Sequence, residues 1–223
     1  MSDVQYTYYG FDYCIGGYFE MATSEARKVL PSHLEPLEKQ HERSIFAITV
    51  FRFTESEVGA YDEVVLAVVV PPMVEPGKPL PKAAMYPFMV GTSTRAAREH
   101  AMERWHLPHV MKDLDMDFQE SDGTMTVRVR DDATPVLDLV VTEFEFEPAR
   151  NQYNVFTIDG EERFKVDIYM EAPHSEHEEE RGELTLHDHP LLAGLDPLEI
   201  ERYPFREEWY QKGLQTFEEL ESI

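Results

Sequence analysis

The groups best suited to chemistry in this 223-residue sequence are its 9 histidines and 44 acidic residues. His187-Asp188-His189 looks like a ligand pair, because imidazole and carboxylate together suit a divalent metal. On a strand, however, the two histidines would share one face and Asp188 would point to the other. His174 and His177 lie among Glu176 and Glu178 to Glu180, a run expected to form a solvated turn that collects cations adventitiously rather than at a dedicated site. Arg95, Arg98 and Arg104 could each present a planar guanidinium to a substrate carboxylate, in competition with the commoner role of a surface ion-pair partner. His100, His106 and Trp105 share their stretch of chain, and Trp105 reads either as core or as a platform for a ligand.

Other chemistries lack their residues. Gly16-Gly17 stands alone, no glycine-rich phosphate loop follows a strand, and no Ser sits in a nucleophile elbow. Cys14 is the single cysteine, so an internal disulfide and a cysteine-based zinc site are both excluded. The expectation is therefore no cofactor and no metal. With 20 Lys+Arg against 44 Asp+Glu, the formal charge is −24, which leaves no basic face to neutralise phosphates and argues against nucleic acid as a partner. The same field repels anionic substrates, so an anion would need a locally cationic pocket. The longest apolar run, Val64 to Val70, is far short of the roughly 20 residues that span a bilayer, and Met1 to Tyr9 has no signal-peptide pattern. Together with the lone cysteine, these features lead to the expectation of a cytoplasmic protein that does not engage membranes.

Elements must position these groups, and 42% hydrophobic with 12% aromatic residues is enough for a core. Period-two alternation predicts strands at Ser44 to Phe53, Glu63 to Val70, Met85 to Gly91, Thr124 to Arg130, Pro135 to Phe146, Phe164 to Met170 and Glu183 to Leu186. Helices are expected from a Ser24 cap to Val29, from Thr94 to Trp105, and from Arg206 to Leu220, where Trp209, Leu214, Phe217 and Leu220 recur at near-helical spacing. Pro71 to Pro81, with five prolines, reads as a long rigid loop of the kind that serves as a lid or subunit contact. Strands outnumber helices without β-α alternation. The expectation is an α+β chain in one domain, residues 1–223: a large antiparallel β-barrel with a few covering helices.

Four stretches, in order, carry a resemblance: Glu25-Ala-Arg-Lys-Val-Leu-Pro31; Tyr61-Asp-Glu63 ahead of Val64 to Val70; Ala101-Met-Glu-Arg-Trp-His-Leu-Pro-His109; and Leu184 to Ile200. Together they resemble the acetoacetate decarboxylase-like family, whose members fold as a cone-shaped antiparallel barrel and often assemble into homo-oligomers. The third stretch is similar to that family's Gly-Arg-Glu-x-x-Gly-x-Pro-Lys signature, with Glu103 and Pro108 in step. The resemblance also makes His187-Asp188-His189 part of a structural stretch before a turn.

The resemblance implies a Schiff-base lysine after the signature proline, an amine kept neutral by an apolar pocket and a neighbouring cation. Here that position is His109, followed by Val110, and imidazole forms no stable imine. Lys112 is the nearest substitute, but Asp113 and Asp115 flank it and strand alternation turns it from the face of residue 109. The resemblance carries the family's two acidic pocket positions onto Glu63 and Glu103, with His109 joining them, and these with Lys112 are the candidate catalytic residues. Tyr61, Arg98, Arg104 and Trp105 are the candidate substrate contacts. A histidine between carboxylates can relay protons without an imine. The readings are a lyase-type enzyme acting on a small keto or hydroxy acid by proton transfer, a non-catalytic small-molecule binder on the same fold, or a Schiff-base decarboxylase using Lys112.

Overall fold

The computed structural model describes residues 6–223. Numbered in chain order, the strands that close on one another are β1 (Thr7–Ala22), β3 (Arg43–Glu55), β4 (Tyr61–Val70), β5 (Ala83–Thr92), β10 (Glu147–Asp159), β11 (Glu162–His177) and β13 (Arg206–Phe217). Their spatial order is β1-β13-β11-β10-β5-β4-β3, and β3 pairs back onto β1, which makes a closed barrel with no free edge. Pairings are antiparallel except between β10 and β5, which run parallel. Short strands β2 (Glu38–Gln40), β6 (His109–Asp113) and β14 (Glu221–Ser222) add to β3, β5 and β11. A four-stranded antiparallel sheet is built from β7 (Asp115–Ser121), β8 (Thr124–Asp131), β9 (Thr134–Thr142) and β12 (Glu183–Leu186).

The run Val64 to Val70 is apolar throughout because both faces of β4 are buried. Val64, Leu66 and Val68 face outward, in one apolar cluster with Val127, Leu137 and Leu139 of the small sheet. Glu63, Val65 and Ala67 alternate with them and face the barrel interior. Two helices complete the fold, α1 (Thr23–Val29) and α2 (Arg95–Trp105). Thr94 caps α2 by accepting the amide N–H of Ala97 at 3.2 Å, and His106 ends it in the left-handed conformation at φ 53°. Ser24 lies inside the first turn of α1 instead of capping it. No helix among the described residues is long and apolar enough to cross a membrane.

The helix expected over Arg206 to Leu220 is strand β13, paired with β1 on one side and β11 on the other. Glu208 and Tyr210 face the cavity, and beyond Lys212 (φ 48°) and Gly213 the inward set shifts to Gln215 and Phe217. That change of parity breaks the period-two signal and leaves a spacing that mimics a helix. Gly213 has no room for a side chain, since a Cβ there would lie 2.4 Å from the Cβ of Ala172. The solvated turn expected at His174 to Arg181 is also corrected. Residues His174 to His177 are the end of β11, with both histidines and Ser175 buried, and only the chain beyond them turns. The strand expected from Pro135 to Phe146 stops at Thr142. Pro71 to Pro81 is a loop, pinned by Glu75 to Lys165 and by Lys78 to Asp167 at 3.1 Å.

Candidate functional site

Barrel closure stacks inward-facing residues in rows. One row, followed through the strand registers, runs Glu63, Phe51, Cys14, Tyr210, His174, and the next runs Val65, Thr49, Gly16, Glu208, Glu176. Between these walls is a cavity of about 90 Å³, most of whose surface comes from apolar side chains including Phe51, Met85, Trp105, Val155, Ile168, Met170 and Phe217. An engineered cavity of about 150 Å³ holds benzene and one water occupies about 30 Å³ of liquid, so this space suits a molecule of a few heavy atoms. Its polar groups are few: Glu63, Glu208, three tyrosines, Thr49, Thr157 and Gln215.

Glu63 and Glu208 belong to strands three interstrand steps apart, roughly 14 Å of arc at about 4.8 Å per step. Glu63 is 9% exposed and no hydrogen bond or ion pair to its side chain occurs among the described residues. Burial alone pushes its carboxyl up to about 8, which favours the protonated form at pH 7. Glu208 is different. Burial raises it too, but the Lys82 ammonium lies 3.1 Å from its Oε1, and the Tyr153 and Tyr18 hydroxyls lie 3.4 and 3.5 Å from its Oε2. Tyr153 Oη is 2.6 Å from Tyr210 Oη, which also accepts from Asn151 Nδ2 at 2.7 Å. The His174 ring stacks on Tyr210 at 4.0 Å, and burial with the nearby Lys82 pushes its imidazole down to about 4.

The residues singled out in the sequence divide by location. Glu63 and Trp105 line the cavity. The Trp105 indole N–H donates to Tyr9 Oη at 2.8 Å, and that hydroxyl lies 2.7 Å from His100 Nε2. Tyr61 is buried just behind, against Phe53 at 4.9 Å between ring centres. Glu103 is exposed on α2. His109 is half-buried outside the cavity lining, with neither ring nitrogen hydrogen-bonded among the described residues, and burial with the Arg98 charge pushes it down to about 4. Arg98 is buried against Asp113 at 2.6 Å, and Arg104 donates to Thr7 Oγ1 at 2.7 Å. Lys112 is exposed and paired with Asp131 at 2.5 Å. Among the described residues no lysine or arginine lines the cavity; Lys82 pairs with Glu208, which does line it, and with Glu176.

His187 and His189 pair separately with Asp138 at 3.4 Å and Asp131 at 3.2 Å, and His189 Nδ1 accepts the Leu191 N–H that starts a short turn. Sequence reading missed Glu208, Tyr153, Tyr210 and Lys82. Glu207-Glu208 shows why. Glu207 faces outward and accepts the amide N–H groups of Thr142, Arg181 and Gly182 at 2.7 to 2.9 Å, whereas its neighbour faces the cavity. Only alternation along a recognised strand separates a structural acceptor from a pocket acid there.

No protein-family model matches the sequence, and no curated protein matches it. Solved structures do match. Acetoacetate decarboxylase from Legionella pneumophila aligns with a TM-score of 0.68 at 13% identity, over 100% of this chain and 92% of that one. The enduracididine biosynthesis enzyme MppR, complexed with pyruvate, aligns at 0.65 and 12% identity over 100% and 91%. An acetoacetate decarboxylase-like enzyme from Sphingomonas wittichii RW1 aligns at 0.61 and 10% over 99% and 93%. Likeness over whole chains at such low identity is likeness of architecture. The seven-stranded barrel with its flanking sheet and two helices is accordingly an acetoacetate decarboxylase-like fold.

Proposed function

We propose that this chain is a lyase-type enzyme that moves a proton on a small keto or hydroxy acid, or on its uncharged counterpart, without forming an imine. The observation that carries the reading is Glu63: a buried, cavity-lining carboxyl with no cationic partner among the described residues, whose burial favours the protonated form. One carboxyl can perform a keto–enol interconversion alone. Its O–H gives a proton to the substrate carbonyl oxygen while its other oxygen takes a proton from the adjacent carbon, so Glu63 ends as it began. A Schiff base finds less support. The Lys82 amine lies outside the cavity lining, ion-paired with Glu176 and, at 3.1 Å, with Glu208, and Lys112 is exposed.

A binding protein without turnover is the second reading, and the placement of Glu103 and His109 outside the cavity lining favours it. Deuterium uptake separates the two. Pyruvate and acetone are incubated in D₂O with the wild type and with Glu63→Gln, and loss of the methyl proton signal is followed by NMR. The expected result is exchange above the buffer rate that disappears in Glu63→Gln. Exchange at the buffer rate in both proteins, with saturable ligand binding, establishes the binder. A lysine adduct after borohydride reduction refutes the imine-free mechanism.

A further inference from the structure

At the end of the barrel where β11 meets β13, three donor atoms converge that proton transfer at Glu63 does not use. One ring nitrogen of His174 and one carboxylate oxygen each from Glu176 and Glu208 all lie within 4.8 Å of one another. This is more than an acidic cluster. His174 is only 9% exposed, its Nε2 has no hydrogen-bond partner among the described residues, and it is aimed at Glu176, 4.0 Å from Oε2. Glu208 is 6% exposed, its Oε1 ion-paired with the Lys82 ammonium at 3.1 Å, and Glu176 is paired with Lys82 and with Arg206 at 3.3 Å. A buried imidazole nitrogen without a partner, aimed at two carboxylates, is the pattern left by a missing ligand.

We propose that His174 Nε2, Glu176 and Glu208 form a site for a divalent first-row transition metal such as zinc, with Lys82, which pairs with both carboxylates, as the main competing cation and Arg206 holding the other oxygen of Glu176. Two carboxylates balance a divalent charge while a neutral imidazole supplies the third donor, a ligand set that suits zinc, iron(II) or manganese. Bonds of about 2.1 Å at tetrahedral angles put donors about 3.4 Å apart, so each pair of donors must close by at most about 1.4 Å. Lys82 has somewhere to go, because its side chain also borders a second cavity of about 340 Å³ beside Pro79 and Leu80. A protein of formal charge −24 attracts cations to such a site. Glu208 lines the barrel cavity, so a metal there would sit beside any ligand held in the barrel. The inference stands independently of the proton-transfer reading.

Zinc chloride titrated calorimetrically into chelator-treated full-length protein tests it. The expected result is one saturable site whose affinity falls by at least about tenfold in His174→Gln and in Glu208→Gln, and rises by about tenfold in Lys82→Met, which removes the competitor. His187→Gln, outside the cluster, is expected to bind like wild type. Circular dichroism and thermal melting establish that each variant is folded. If the two ligand variants do not fold, Lys82→Met decides alone, since an unchanged or weaker affinity there overturns the proposal. Binding equal in wild type, His174→Gln and Glu208→Gln overturns it, as does absence of binding in both wild type and Lys82→Met.

Discussion

Replacing Glu63 with glutamine keeps the size of the side chain and removes its proton. In the unfolded chain Glu63 titrates near its ordinary 4.5, and in the fold burial raises it to about 8. Between those values the folded state binds a proton that the unfolded state has lost, so wild-type stability falls as pH rises through that window. A glutamine is indifferent to pH. The stability of Glu63→Gln relative to wild type is therefore about zero at pH 4, about 3 kcal/mol in favour of the variant at pH 7 and about 5 kcal/mol at pH 9. Urea denaturation of both proteins at each pH, followed by tryptophan fluorescence, measures the difference directly. The opposite slope, or two profiles that stay parallel from pH 4 to 9, would refute the claim that Glu63 is a buried acid without a cation. The same carboxyl would then be paired in solution, and the proton-transfer reading would lose its support.

Other consequences follow from the same geometry. The His109 imidazole, pushed down to about 4 from its ordinary 6.5, should be seen by NMR as neutral at pH 5.5, and stability attributable to it should be complete above pH 6.5 and fall as pH drops towards 4. Glu207→Ala strands the N–H groups of Thr142, Arg181 and Gly182 and should cost about 3 kcal/mol in denaturant titration. Leu137→Ala, at a fully buried position of the small sheet, should cost about 2–5 kcal/mol while leaving ligand affinity in the barrel unchanged by calorimetry. Lys112→Ala should change neither the melting temperature nor deuterium exchange, and altered exchange would place that lysine in the chemistry after all.

Much of the architecture can be read without coordinates because its signals are local. The apolar run of β4, the alternation of β3 and β12, and the Thr94 cap of α2 each state their conformation within a dozen residues, and four motif stretches in order point to the barrel. β13 could not be read this way, since the shift at Lys212 and Gly213 hides a strand that only pairing with β1 and β11 stabilises. The cavity is less local still. It needs β3 and β13 to close on β1, bringing Glu63 and Glu208 to opposite walls although 145 positions separate them (208 minus 63). Residue types and their pattern alone determined that the chain is acidic, strand-rich and carries a single cysteine that cannot form an internal disulfide. Which carboxylates lose water, which of them meets Lys82, and whether His174 faces solvent or a cluster of donors were decided by tertiary structure, because desolvation and charge pairing depend on what surrounds a group in space rather than along the chain.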